Sequence, residues 1–300
     1  MSGGARIGVD FGGTKIEGIV ASGPRAAPVV AERRRIPTEA DGGYAHVLAR
    51  TAAFVEELAR TAGADAPVGI GMPGSVTRRG LVKNSNTVCL NGTPFRADLE
   101  RRLGRRLAFA NDANCFAMAE ATLGAAAGRG LVFGAIMGTG VGGGIAIGGV
   151  AREGPQSICG EWGHTVLFPD SARRCYCGRR GCVETYLAGP WIERHYRELG
   201  GAPGVRLEEI VARRAAGEAA AARCVETWLD AYGRAMANLI NVLDPDAVVL
   251  GGGVSNAEPL YGEGRDRVAA YLFSDELTTP IDKHSLGDSA GVFGAALLVS

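Results

Sequence analysis

The stretch "RIGVDFGGTK", Arg6 to Lys15, runs a short apolar segment into an acidic residue and then into two adjacent glycines. Its first half has strand character, and the strand ends at Asp10. Adjacent glycines let backbone amides approach an anion closely, and Thr14 adds a hydroxyl. Asp10, at the strand end, can hold Mg²⁺ through water, as that ion prefers. The turn is not a Walker loop, which requires G-x-x-x-x-G-K-[ST]. By itself "GGT" is better explained by an ordinary hairpin turn.

The same punctuation recurs along the chain. "PVGIGMPG" (67–74), "RLAFAND" (106–112), "LVFGAIMGTG" (131–140), "GGGIAIGG" (142–149) and "DAVVLGGG" (246–253) are apolar runs that pass into turns, most of them glycine-rich. Between them lie helical stripes. Tyr44, Val47, Leu48, Thr51, Phe54, Val55 and Leu58 form one, and Val225, Trp228, Leu229, Tyr232, Met236, Leu239, Ile240 and Leu243 another. The second should stop at Asp244-Pro245. These aromatic and methionine positions read as core faces. The pattern is α/β, without a detectable sequence repeat or a low-complexity linker.

Two further glycine clusters carry chemistry. "GTGVGG", Gly138 to Gly143, formally matches the dinucleotide fingerprint G-x-G-x-x-G, but that fingerprint must open a helix, and strand alternation follows here instead. "LGGGVSN" (250–256) ends another strand and can accept the adenosine end of a nucleotide. Each cluster alone is a weak signal; three at strand ends point to a nucleotide cleft.

"NDAN", Asn111 to Asn114, sits at a strand end that leads into a helical stretch. An Asp partly desolvated there is suited to take a proton from a hydroxyl, although an Asp that caps the helix would look the same. "GEWGH" (160–164), "KNSN" (83–86) and Glu184 add carboxylate, imidazole and amide groups that hydrogen-bond polyhydroxylated ligands, or else solvated loop residues. "CYCGRRGC" places Cys175, Cys177 and Cys182 in C-x-C-x₄-C spacing, with His164 upstream. Zinc suits that set as tetrahedral Cys₃His. Redox chemistry is the competitor, although it normally uses C-x-x-C, and an odd total of seven cysteines weakens a disulfide staple.

Composition sets the outer bounds. A chain of 300 residues exceeds the usual single domain, which makes two domains the default. Lys+Arg and Asp+Glu both total 32, so no basic excess predicts nucleic acid or anionic lipid as a partner. The uncharged run from Gly130 to Val150 is long enough to raise a transmembrane helix. Nine of its 21 residues are glycine, which favours a strand pair joined by a turn. The start carries no signal-peptide pattern, so the expectation is a cytoplasmic protein away from membranes.

Taken in order, "DFGGTK", "NDAN", "GTGVGGG", "GEWGH" and "CYCGRRGCVE" resemble the ROK family of bacterial sugar kinases and sugar-responsive repressors. The resemblance spans nearly the whole chain, and the C-x-C-G-x-x-G-C-x-E element is its most specific part. It implies an actin-like ATPase and sugar-kinase fold, two ribonuclease-H-like α/β lobes closing on a cleft. The implied domains are residues 1–118 plus 288–300, and 119–287 with the zinc loop. ATP with Mg²⁺ is expected at Asp10, Gly12, Gly13, Thr14 and Lys15, at Gly138, Thr139 and Gly140, and at Gly251, Gly252 and Gly253. A hexose is expected at Asn84, Asn86, Asn111, Asp112, Glu161, His164 and Glu184, with Asp112 as catalytic base. Structural zinc is expected on His164, Cys175, Cys177 and Cys182. The resemblance also implies a homodimer. Family repressors add an N-terminal helix-turn-helix domain, whereas this sequence reaches its first strand by Arg6, so the expectation is a kinase, with a non-catalytic zinc-binding sugar sensor as rival. "VKNSNTVCLNGTPF" (82–95), "CYCG" and "GDSAGVFGAA" (287–296) look most like the fructokinase and mannokinase branch, implying transfer to the 6-hydroxyl of fructose. N-acetylglucosamine kinase and glucokinase are the alternatives.

Overall fold

Strand β1 (Arg6–Phe11) ends in the glycine turn, and β2 (Lys15–Ser22) runs back antiparallel to it, with Phe11 opposite Ile16 and Arg6 opposite Ala21. The "GGT" turn is therefore a hairpin turn, made in a computed structural model that describes residues 4–300. Strand β3 (Val29–Pro37) extends the hairpin, followed by helix α1 (Gly43–Ala62) and strand β4 (Val68–Met72). Short strands β5 (Ser75–Val76) and β6 (Val82–Lys83) pair with each other, and helix α2 (Phe95–Leu103), strand β7 (Ala108–Asn111) and helix α3 (Asp112–Thr122) follow.

The strand order is β3-β2-β1-β4-β7, with β4 parallel to β1 and β7 parallel to β4. The period-3.6 stripe of α1 buries Val47, Thr51, Phe54, Val55 and Leu58, in keeping with its spacing. Phe11 is fully buried and packs on Phe95 at 5.5 Å between ring centroids, so its bulk is spent in the core behind the turn.

The run from Gly130 to Val150 forms strands: β8 (Leu131–Met137), β9 (Val141–Ile147) and β10 (Val150–Ala151). Among the described residues no helix is long and apolar enough to cross a membrane. After the cysteine loop come α4 (Glu184–Leu187), α5 (Gly189–Glu198), α6 (Leu207–Ala215) and α7 (Ala219–Leu243). Helix α7 buries the predicted stripe from Val225 to Ile240 and ends at Asp244, in the left-handed region just before Pro245. Strand β11 (Ala247–Gly251), helix α8 (Glu263–Tyr271), strand β12 (Ile281–Lys283) and helix α9 (Ala290–Leu297) complete the chain.

The second sheet runs β10-β9-β8-β11-β12. Counted from its own first strand this is the order of the first sheet again, third-second-first-fourth-fifth, the ribonuclease-H-like plan. The fold thus contains a structural duplication that the sequence does not display as a repeat. The chain divides into two units, one of Met1–Gly128, Gly144–Cys159 and Ser285–Ser300, the other of Arg129–Gly143 and Gly160–His284.

Candidate active site

In the first unit the β1–β2 turn is fixed from outside. The Gly12 amide donates to the Lys15 carbonyl at 2.9 Å; Thr38, fully buried, donates its hydroxyl to the Gly12 carbonyl at 2.7 Å and its amide to the Thr14 carbonyl at 2.9 Å. Thr14 itself is exposed. Gly13 faces the amide of Asn86: a Cβ there would lie 3.2 Å from Asn86 Oδ1. Asp10, behind the turn, has its pKa pushed up to about 7, first by burial and then by the carboxylates of Asp112 and Glu17, against the pull of Lys15. Two acids sharing a site, one of them desolvated, are the donor set that a divalent cation suits. Helix α9 comes so close that a Cβ on Gly291 would sit 2.6 Å from Asp10 Oδ2, so only glycine leaves that carboxylate its place.

Asp112 opens α3 directly after β7. Asn111 is the N-cap: its Oδ1 accepts from the Ala113 amide at 2.8 Å, and its Nδ2 donates to the Gly74 carbonyl at 2.9 Å. Asp112 Oδ1 also accepts from the Ala113 amide, at 2.9 Å. The cap is therefore mainly Asn111's, and Asp112 is a carboxylate held at a helix N-terminus. Asn84 takes φ 56°, and its turn is clamped by Asn91, whose amide both accepts from the Ser85 amide and donates to the Ser85 carbonyl, each at 2.9 Å. Asn91 and Thr38 escaped the sequence reading, because only their distant partners give them a role.

In the second unit two glycine clusters meet. The Gly138 amide donates to the Gly140 carbonyl at 2.9 Å, the Gly189 amide donates to the Gly138 carbonyl at 2.8 Å, and the Gly253 nitrogen would lie 3.8 Å from a Cβ on Gly138. Beside them opens a cavity of about 400 Å³ lined by Gly138, Thr139, Gly189, Glu193, Arg206 and Gly253 among others. Arg206 lies 3.4 Å from both carboxylate oxygens of Glu193. Neither of these two residues carries a signal in the sequence, since they sit on α5 and at the start of α6.

The cysteine loop also belongs to the second unit. Cys177 Sγ and Cys182 Sγ are 3.6 Å apart, Cys175 Sγ and His164 Nδ1 are 3.6 Å apart, and all four donor atoms lie within 4.8 Å of one another. The thiols are free, not disulfide-bonded. Zinc–sulfur bonds of about 2.3 Å and a zinc–nitrogen bond of about 2.0–2.1 Å give tetrahedral edges of about 3.8 Å between sulfurs and about 3.6 Å from sulfur to nitrogen. The residues present fit that ion. Burial pushes Cys175 up to about 12 and raises Cys182 as well. Cys177 runs the other way: against desolvation, hydrogen bonds from the Arg179 backbone and from the two neighbouring thiols hold it low. His164 Nε2 lies 2.9 Å from the Tyr176 hydroxyl, so the second ring nitrogen already has a partner in the loop. Glu184 is buried, and Glu161 is exposed.

The family model of the ROK family matches residues 6–300. The N-acetyl-D-glucosamine kinase of Escherichia coli O9:H4 (strain HS) is 36% identical over 305 aligned positions, covering 97% of this chain and 98% of that one. The crystal structure of the ROK hexokinase from Thermus thermophilus superposes with a TM-score of 0.87 at 34% identity, over 98% of this chain and 97% of that one. A ROK family glucokinase from Streptomyces griseus, solved in complex with glucose and AMPPNP, superposes with a TM-score of 0.75 at 27% identity, over 99% of each chain. The fold is the actin-like ATPase fold of these proteins. The lean toward fructokinase and mannokinase finds no support in these relatives, and the alternative, N-acetylglucosamine kinase, fits them better. Motif order, paired sheets and full-length similarity agree: the chain belongs to the ROK family.

Proposed function

We propose that the protein is an ATP-dependent sugar kinase that transfers the γ-phosphoryl group to the 6-hydroxyl of N-acetylglucosamine. The observation that carries this reading is the pair of carboxylates, Asp112 at the N-terminus of α3 and Asp10 behind the glycine turn, the charge of the first adding to burial in raising the proton affinity of the second. One of them is placed to take a proton and the other to serve a cation, which is the division of labour that phosphoryl transfer needs.

In this reading Gly12, Gly13, Thr14 and Lys15, and likewise Gly138, Thr139 and Gly140, are the candidate contacts for the phosphates of ATP. The adenosine end takes the cavity near Gly251, Gly252 and Gly253, where the Glu193 carboxylate suits ribose hydroxyls. Mg²⁺ at Asp10 would supply charge neutralisation at the phosphates. Asp112 accepts the sugar's hydroxyl proton as the oxygen–phosphorus bond forms and the bond to the leaving ADP breaks, with one of its oxygens fixed by the Ala113 amide. Asn84, Asn86, Asn111, Glu161, His164 and Glu184 are the sugar's other candidate contacts. Asn111 also caps the helix that Asp112 opens, with its amide bonded to the Gly74 carbonyl and the Ala113 amide. Zinc on His164, Cys175, Cys177 and Cys182 would be structural, because four protein ligands leave no open position.

A coupled assay with N-acetylglucosamine, glucose, mannose and fructose tests the reading. The expected result is the highest kcat/KM for N-acetylglucosamine and a 6-phosphate by NMR. Preference for fructose would restore the fructokinase branch. Sugar binding without turnover on any of the four would make the protein a sensor.

A further inference from the structure

Glu120 has no part in the reading so far, although it lies on α3 two turns, about 12 Å, beyond Asp112. It is fully buried, and a carboxyl group removed from water needs other partners. Its Oε2 accepts from the Ala125 amide at 2.8 Å and from the Ser285 amide and hydroxyl at 3.3 and 3.4 Å. Its Oε1 accepts from the Leu286 amide at 3.1 Å. Ser285 is the residue at which the chain returns to the first unit. Both oxygens thus hold the segment that leads into α9, whose second residue, Gly291, closes on Asp10. Within that segment Asp288 lies 3.8 Å from Lys15 of the glycine turn.

The body of α9 is fitted by backbone contact. A Cβ on Gly8 would lie 2.5 Å from the Val292 carbonyl oxygen, one on Gly69 would strike the Ala295 carbonyl, and one on Gly294 the Cys115 carbonyl. Contacts of this kind set how closely α9 approaches β1, β4 and α3, whereas directional hydrogen bonds at its ends set its position along its own axis. Glu120 supplies them at the entry. Arg25 supplies one at the exit, where its guanidinium donates to the Leu297 carbonyl at 2.7 Å. We propose that Glu120 is a positioning residue for the cation site: through Ser285 and Leu286 it sets where α9 begins, and so the place that Gly291 leaves to Asp10. This rests on the reading of Asp10 as the carboxylate that serves Mg²⁺. Glu120 acts through α9 and not by contact with sugar or nucleotide.

Glu120→Gln tests the proposal. Glutamine has one acceptor oxygen, so either Leu286 or the Ala125 and Ser285 amides must face an NH₂ group. Gly124→Ala is the milder variant, because its methyl group would fall on Glu120 Oε2, the movable end of a side chain, and displaces the carboxylate without removing it. Arg25→Ala is the control, since it frees the far end of α9 and leaves the entry held. Mn²⁺ binding in the presence of ADP, read by electron paramagnetic resonance, should weaken by about three- to tenfold in Glu120→Gln and in Gly124→Ala, less than the about 10–100-fold of a group bonded directly to a metal ligand. The Mg²⁺ concentration for half-maximal activity should rise in step, with little change in the sugar KM. Arg25→Ala should lower the urea midpoint and keep the wild-type Mn²⁺ affinity. Lower urea midpoints with unchanged Mn²⁺ affinity in the Glu120 and Gly124 variants would leave Glu120 a stabilising residue only and overturn the proposal, as would an equal loss of Mn²⁺ affinity in Arg25→Ala. Gly124→Ala decides the matter if Glu120→Gln fails to fold. A wild type that turns over without any divalent cation would instead remove the reading of Asp10 on which the proposal rests.

Discussion

Glu184 accepts a hydrogen bond from the Val141 amide at 3.0 Å through Oε2, while its Oε1 lies 3.7 Å from Cys175 Sγ. One buried carboxylate thus ties the strand that leaves the Gly138–Gly140 turn to the loop that carries the cysteines. Glu184→Ala would leave the buried Val141 amide unpaired, at a cost of about 1–3 kcal/mol. Glu184→Gln can keep its carbonyl on Val141 and turn its amide toward sulfur. The expected outcome is a clear drop in the denaturation midpoint for Ala and a small one for Gln, read by urea unfolding. Equal drops would show that the charge, not the Val141 bond, is what matters.

Asp112→Asn keeps the shape of the side chain, and the Asn111 cap on Ala113 is untouched. Turnover should fall by about 10²-fold or more, the scale of general acid–base catalysis, with ATP affinity nearly unchanged. Steady-state kinetics beside a thermal melt make the check, and a variant with near-normal turnover would remove Asp112 as base.

Purified without added metal, the protein should carry one zinc per chain by elemental analysis. Cys177→Ser replaces the thiol whose proton is held least tightly with a harder, poorer ligand, and should lose that zinc. The loop that holds His164 would loosen, so the sugar KM should rise more than the ATP KM. Three thiols that titrate freely in the native wild type would return the loop to redox chemistry.

Gly291→Ala would place a methyl group 2.6 Å from Asp10 Oδ2, with the α9 backbone behind it. The carboxylate must move, so the Mg²⁺ concentration for half-maximal activity should rise several-fold while the sugar KM changes little. Titrating Mg²⁺ at saturating sugar reads this directly; an unchanged Mg²⁺ dependence would separate Asp10 from the cation.

Strand ends and helical stripes were legible in the sequence because each is a local pattern. "RIGVD", "VGIGM", "AFAN", "LVFGAIM" and "AVVLG" all became strands, and α7 stopped at Asp244 as its proline required. Strand β3 was not legible. Its "ERRR" core lacks the alternation of a half-buried strand, and it is tolerated at a sheet edge because Glu17, buried on β2, pairs with Arg33 and Arg35 across the register. That pairing exists only once β2 and β3 are neighbours.

The sequence by itself determined the family, the positions of the glycine turns, and the set of cysteines that suits zinc, because each depends on residue types at short spacing. Tertiary structure decided which separate turns meet. It brought Gly253 beside Gly138, Asn86 beside Gly13, and Gly291 against Asp10, contacts between residues about 70 to 280 positions apart that no window of sequence contains. It also decided which polar groups are spent and which are left over. Asn111 and Asn114 stand in one four-residue motif and are the same residue type. Only folding satisfied the first with Gly74 and Ala113 and buried the second with its Oδ1 unpaired among the described residues.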